Sequence, residues 1–556
     1  MAQQPPLVIS GGHLINTNDG KIINNSIIII ENNLITEVGK AGKLTIPANA
    51  QRIDATGKWI MPGMTDSHIH FFQSGGLYTR PDGLNLQKIY AYEKDQQWIN
   101  DNLEDLLLRY LACGITTVID VGGPFSNYTI RQYCNEHPLA PNAFVTGPLI
   151  STYLPQNLSL KDPPIIKVNS EAEARELVRK QLPYKPDFIK IWYIVLPRQS
   201  AAQTLPIVKA TIEESHKNNL KVAVHATEYA TAKLAVEAGC DILVHSIDDK
   251  VADPAFLQLL KSKNITYIPT LIVLSKYHEV FTQQHRLSLH DFRYSNPFML
   301  GTLFDLRHLS TKQAGFDYMK LRNRLKIPSR EDSTMLLNLK LTSDAGINIS
   351  AGTDAGNIGT QHASSFLDEL LSMKQSGMSN AQILKAATIN PAKGFGKEKE
   401  LGTIEKGKIA DLLILNKNPL DSLGNLDNIL LLVHRGKLIR TDTLLKQTPE
   451  ILVQQQLNAY NAGNLEAFLE PYSDSIEIYD FPDTLNAKGK ENMRRSYEPM
   501  FKFNKGFHCE LVNRIVDGNK VIDQEKITGA GFLPMKASVI YIIENGKIRK
   551  VYFMKS

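Results

Sequence analysis

His68-Ile69-His70 sets two imidazoles at i and i+2. Side chains of an extended segment alternate, so both rings can reach one metal ion. Three more ligand types stand directly behind apolar runs. His225 ends Lys221-Val222-Ala223-Val224-His225, His245 ends Asp241-Ile242-Leu243-Val244-His245, and Asp354 follows Ile349-Ser350-Ala351-Gly352-Thr353. Lys190, between Ile189 and Ile191, points where its neighbours do not. Four imidazoles and a carboxylate suit Zn²⁺, or Mn²⁺, Fe²⁺ or Co²⁺. A free ammonium among such ions would be repelled. Carboxylated by CO₂, the lysine would instead be an anionic bridging ligand. An isolated His-x-His pair is weak evidence; the company at other strand ends makes it a candidate site.

Those residues need a scaffold that gathers strand ends. Eight apolar strand candidates follow in order: 59–64, 115–121, 143–150, 188–192, 222–225, 242–245, 266–272 and 347–351. Helical patterns such as 103–112, 171–182 and 229–239 separate them. This rhythm predicts a closed (β/α)₈ TIM barrel, an α/β fold whose C-terminal strand ends share one mouth. An open doubly wound sheet would want a phosphate loop near its first strand, and none is present. Residues 276–330, rich in His, Arg, Phe and Tyr, interrupt the rhythm after the seventh strand and read as a lid or substrate loop.

Short Val/Ile runs with turn signals occupy 7–60 and recur at 401–440, predicting one β-sandwich built from both flanks. After about 445 an amphipathic helix pattern, alternating strands and a helical pattern over 489–503 predict a separate α+β domain. The expected organisation is a first sandwich segment over 1–60, the barrel over 61–400, a second sandwich segment over 401–445 and a C-terminal domain over 446–556.

The 556 residues carry a net charge of only +5, without a Lys/Arg block, so nucleic acid is not expected as a partner. The apolar runs fall far short of the roughly 20 residues of a membrane helix, and no membrane association is expected. Four cysteines stand at 113, 134, 240 and 509 with no CxxC pair; Cys113 and Cys240 are expected as buried thiols. No signal segment is evident. Ala2-Gln3-Gln4 is similar to residues that follow bacterial signal cleavage, so the expected compartment is periplasmic if a signal was removed before Ala2 and cytoplasmic otherwise.

Several stretches carry a resemblance: Pro62-Gly63-Met64-Thr65-Asp66-Ser67-His68-Ile69-His70, Ile189-Lys190-Ile191, Val224-His225-Ala226, Gly239 to Ser246, Ala351-Gly352-Thr353-Asp354, Ala386 to Ala392 and Gly402 to Leu412. Over about residues 7–440 the chain resembles the amidohydrolase superfamily, near its prolidase-like and imidazolonepropionase-related members. The resemblance implies a divalent-metal hydrolase of a C–N amide bond, in a dipeptide, prolyl dipeptide or N-acyl amino acid. It implies two Zn²⁺ per chain: His68, His70 and Asp354 on one, His225 and His245 on the other, and carboxylated Lys190 bridging. It further implies a metal-bridging hydroxide as nucleophile, with Asp354 as the catalytic base and then acid.

Glu228, three residues after His225, is the position where single-metal relatives carry a proton-shuttling glutamate. The alternative is therefore a mononuclear cyclic amidohydrolase or deaminase; Glu228 could equally serve the start of the next helix. Tyr193 and His362 are further substrate-binding candidates. Arg286, His290 and Arg293 could meet a substrate carboxylate, but solvated charge is the favoured reading, while His137, His278 and His308 read as structural or surface residues. Residues 448–556, through Gln456 to Phe468, Tyr472-Ser473-Asp474 and Ile542 to Ile548, resemble the cone-shaped nuclear transport factor 2, SnoaL-type polyketide cyclase and ketosteroid isomerase family. Tyr460, Asp480 and His508 are candidate pocket groups there. The expected role is pocket-lid duty or homo-oligomer formation, with a small-molecule substrate as the barrel's ligand. A third reading is a non-catalytic ligand-binding protein.

Overall fold

The computed structural model describes residues 5–324, 333–503, 506–529 and 532–554. The expectations for Ala2, for residues 325–330 of the insertion and for the end of the chain lie outside these residues. Nine short parallel strands form the scaffold: β1 (Met64–Ile69), β2 (Ile115–Asp120), β3 (Asn142–Val145), β4 (Leu149–Ser151), β5 (Ile189–Trp192), β6 (Val222–His225), β7 (Ile242–Val244), β8 (Thr266–Ile268) and β9 (Asn348–Ile349). They lie in two sheets, β3-β2-β1 and β4 to β9 in order, the latter with Ile165–Lys167 added at its β4 edge. Hydrogen bonds join the sheets at both edges. Ser67 N–H donates to the Ala351 carbonyl at 2.9 Å, and Asp187 N–H to the Val145 carbonyl at 3.0 Å. Most strand positions are buried on both faces, because helices cover the outside and side chains such as Ile119, Val244 and Ile268 fill the inside.

Two expected strands are divided. The 143–150 run breaks at Gly147-Pro148 into β3 and β4. Pro148 has no N–H to give a ladder. A Cβ on Gly147 would lie 2.8 Å from both the Tyr128 hydroxyl and the Gln181 amide oxygen, so a larger residue would displace these side chains. The 59–64 run serves two sheets. Trp59–Pro62 pairs antiparallel with Leu412–Leu415, and β1 starts only at Met64.

Strands from both flanks meet beneath the scaffold. A six-stranded sheet joins Lys437–Ile439, Ile429–His434 and Leu412–Leu415, in that order, edge to edge with Trp59–Pro62, His13–Ile15 and Ile22–Ile23. A four-stranded sheet of Leu34–Lys40, Ser26–Glu31, Leu7–Ser10 and Gln51–Asp54 shares its apolar cluster, including Ile9, Ile28, Ile60, Leu412, Ile414 and Val433. The four cysteines are buried free thiols.

The insertion after β8 is helical rather than a loop. Helix α1 (Ile272–Thr282) is followed by Leu289–Tyr294, α2 (Pro297–Thr302), Thr311–Ala314 and Tyr318–Arg324. Its middle packs on the C-terminal unit, where α3 (Pro449–Ala462) and Leu465–Leu469 precede a six-stranded sheet. Gly463, at φ +71, ends α3 where the sequence breaks its helical pattern. That sheet is antiparallel except where Tyr472–Asp480 runs parallel to Lys547–Met554. Leu300, Leu303 and Leu306 of the insertion share one apolar cluster with Leu452, Phe468 and Tyr541. Polar bonds reinforce the contact: Asn458 donates to the Pro297 carbonyl at 2.6 Å, Arg307 donates to the Asn461 carbonyl at 2.8 Å, and His308 meets His508 at 3.0 Å. Among the described residues no helix is long and apolar enough to cross a membrane.

Candidate metal centre

The C-terminal strand ends bring the six ligand candidates to one cavity of about 730 Å³. His68 lies on β1 and His70 just beyond it, so alternation aims both rings inward. Their Nε2 atoms are 3.2 Å apart. Asp354 Oδ1 is 3.3 Å from His68 Nε2 and 3.2 Å from His70 Nε2. These three are a buried group able to hold a metal ion. The His245 ring lies 4.9 Å from that of His68 and 4.3 Å from that of His225.

The residues around the rings fix how they face. His70 Nδ1–H donates to the Gly122 carbonyl at 2.7 Å, leaving Nε2 as the lone-pair atom in the cluster. His245 Nδ1 is held by the Thr270 hydroxyl at 2.7 Å. His245 and Asp354 both adopt left-handed backbone, at φ +78 and +59. Non-glycine residues take this region only where their surroundings enforce it, and such strain gathers at functional sites. Asp66, fully buried, spans the two ligand loops: it accepts the Thr353 hydroxyl at 2.7 Å, Thr353 N–H at 3.1 Å and His68 N–H at 3.3 Å.

The electrostatics fit a cation site. Burial, then the Lys190 ammonium, holds His68 and His225 well below the ordinary imidazole range; burial and the neighbouring His225 do the same to His245. Neutral imidazoles are the metal-binding form. Burial pushes the Lys190 ammonium down to about 7. Its Nζ, His68 Nδ1 and Asp354 Oδ1 are buried with no hydrogen-bond partner. Buried polar atoms are rarely left so, and a place for a bound ion is one established cause.

Four further candidates are placed as follows. Tyr193 follows Lys190 by three and has the opposite strand parity. It is buried, donates its hydroxyl to the Ala201 carbonyl and does not line the cavity. Glu228 is exposed outside the cavity as N-cap residue of Tyr229–Glu237. His362 is sealed behind the site. Tyr110 O–H donates to its Nδ1, its Nε2–H donates to the Gln73 carbonyl, each at 2.8 Å, and its ring stacks on Phe71. His278, read as structural or surface, lines the cavity from α1. Arg286 also lines it, whereas His290 pairs with Asp427 and Arg293 with Glu470.

The sequence reading missed Arg80, Trp192, Tyr277 and Asn357, which all line the cavity. Arg80 is clamped by both Asp82 oxygens at 2.8 and 2.6 Å. Trp192 alone had a signal: it shares the strand parity of Lys190. In the C-terminal unit, Tyr460 lies among Phe468, Phe501 and Phe507, and His508 is occupied by His308.

Residues 59–439 match the model of a family described as "Amidohydrolase family", and residues 453–551 match one described as "SnoaL-like domain". The chain is 22% identical over 455 residues to an imidazolonepropionase of Geobacillus sp. (strain WCH70), covering 77% of this chain and 90% of that protein. Among solved structures, a Xaa-Pro dipeptidase with bound methionine superposes at TM-score 0.60 and 22% identity, over 78% of this chain and all of that one (100%). A molinate hydrolase superposes at TM-score 0.60 and 19% identity, over 80% of this chain and 96% of that one.

Proposed function

Since this chain belongs to the amidohydrolase family, and so is a hydrolase acting on C–N bonds, we propose that it cleaves an amide with two divalent metal ions held by His68, His70, Lys190, His225, His245 and Asp354. The convergence of His68 Nε2, His70 Nε2 and Asp354 Oδ1 within 3.3 Å, beside a partnerless buried Lys190, carries this reading. The two parallel sheets are read as one closed eight-stranded barrel, on the strength of the hydrogen bonds at both edges, with β3 and β4 as one interrupted strand.

His68, His70 and Asp354 would hold one ion, His225 and His245 the other, and Lys190, once carboxylated, both. Such ions polarise a carbonyl and lower the pKa of water. The protein's own groups do the rest. Asp354 Oδ1, fixed by strained backbone, takes the proton of the attacking water and returns it to the leaving amine. Carbonyl and hydroxyl partners keep His70 and His245 in one orientation, so no reorientation is required during reaction. Glu228, being exposed outside the cavity, disfavours the mononuclear route.

Metal analysis of reconstituted protein tests the proposal together with a panel of dipeptides and N-acyl amino acids, assayed with chelator and metal add-back. About two ions per chain and chelator-reversible amide cleavage are expected. One ion per chain would overturn the bridged site, and no metal-dependent cleavage would overturn the amide reading.

A further inference from the structure

The cavity walls bear on which amide is cleaved. Beside the imidazoles the wall is apolar and aromatic. The Phe72 ring lies 5.4 Å from that of His70, and the Trp192 ring 6.1 Å from that of His225. From Trp192 the apolar surface runs on through Leu149, Leu158 and Ile165, which pack as one cluster, while Arg80, Asp248, Glu279 and Arg286 line other parts of the cavity. Ile165 begins the edge strand Ile165–Lys167, and Leu158 sits in the preceding turn, so this wall is built by the segment between β4 and the next helix.

A second stretch of the lining is helical. Leu274, Tyr277, His278 and Phe281 of α1 follow i, i+3, i+4 and i+7 spacing and so share one face, and all line the cavity. Leu274, 60% exposed, presents its side chain to solvent at this cavity wall. At about 730 Å³ the cavity falls within the roughly 300–1,000 Å³ range of pockets that enclose drug-sized ligands.

We propose that the substrate is an amide with an extended apolar acyl or aryl group, seated between the Trp192–Leu149–Leu158 wall and Leu274, rather than a prolyl dipeptide. This rests on the amide-hydrolase reading above. Trp192 and Leu274 are then residues that determine specificity by burying apolar surface. They take no part in the chemistry.

The test is a series of N-acyl phenylalanines with acetyl, butanoyl, octanoyl and lauroyl groups, plus naphthoyl, with prolyl dipeptides alongside. A fully buried methylene contributes about fourfold to binding, so the methylenes added from acetyl to octanoyl should raise kcat/KM by about 10³-fold if fully buried and by at least about 100-fold if partly so. Trp192→Ala and Leu274→Asn should flatten that dependence on chain length. Calorimetry of acetate, octanoate and laurate binding gives a readout independent of turnover, and octanoate and laurate should bind while acetate does not. Cleavage of prolyl dipeptides with kcat/KM equal to or above that of the octanoyl substrate would overturn the inference while sparing the hydrolase reading. Loss of cleavage for the whole series with octanoate still bound would overturn the hydrolase reading and spare the apolar site. Equal binding of acetate and octanoate would overturn the apolar site whatever the turnover.

Discussion

Replacing Asp66 tests how the ligand loops are held. It is fully buried, and burial pushes its carboxyl up to about 7. Three donors converge on it: His68 N–H, Thr353 N–H and the Thr353 hydroxyl. Asp66→Ala leaves all three without that acceptor. The hydroxyl has a second acceptor, the His68 carbonyl at 3.4 Å, so the two N–H groups set the floor. At about 1–3 kcal/mol for each buried donor left unmade, the cost is roughly 2–6 kcal/mol. That is a large fraction of the about 5–15 kcal/mol that holds an ordinary domain together. Asp66→Asn behaves differently. Its amide oxygen still accepts both N–H groups, and its NH₂ can donate to the Thr353 hydroxyl, which turns to the His68 carbonyl. The expected cost is below about 1.5 kcal/mol. Urea denaturation of the metal-free protein measures both variants, and metal content after reconstitution shows whether the ligand loops stay in place. The reasoning is refuted if Asp66→Ala unfolds within about 0.5 kcal/mol of the parent, an ordinary surface-substitution effect, or if Asn is as damaging as Ala.

Three more outcomes are expected. Asp354→Asn should lower turnover by about 10³-fold while metal content falls only modestly, as for loss of a general acid–base group; parental turnover would contradict the assignment. Glu228→Gln should stay within about threefold of the parent, because an exposed helix-start carboxylate has no proton to move in the cavity; a loss above about 100-fold would restore the mononuclear route. Glu525, buried in the C-terminal unit beside the Tyr541 hydroxyl at 3.2 Å, is pushed by burial from 4.5 up to about 7. The native state therefore holds more protons than the unfolded state across that window, and stability falls as pH rises through it. Glu525→Gln should stabilise by up to about 3 kcal/mol near pH 8 and by almost nothing near pH 4, which denaturation midpoints at the two pH values would show; an equal gain at both would contradict it.

That the six candidate residues would gather at one cavity was legible because strand parity and strand ends are written in residue order. His68 and His70 share parity, and His225, His245 and Asp354 each close an apolar run. The same rule, applied one step further, excludes Tyr193 and selects Trp192. Arg80 and His278 could not be found this way. The first sits in a long loop and the second on a helix of the insertion, and their approach to the site depends on packing between distant segments. The divisions at Gly63 and Gly147 were hidden for a related reason. A Cβ on Gly63 would fall 2.2 Å from the Thr116 hydroxyl, a crowding that only the folded neighbours create. The insertion's helices carry their own caps, Ser288 and Ser310 among them, but nothing local to them names the C-terminal unit as their partner.

One end of the insertion supplies Leu274 and Phe281 to the cavity, and a few residues on, α2 lies so close to α3 that a Cβ on Gly301 would meet Gln454 at 2.7 Å. The C-terminal unit therefore packs on the same insertion that lines the cavity. Leu300, Leu303 and Leu306 share one apolar cluster with Leu452 and Phe468 of that unit and with Leu77 and Val280 outside it, so removing the unit would uncover part of the cluster. One inserted segment thus serves two neighbours at once, the cavity at one end and the docking face at the other.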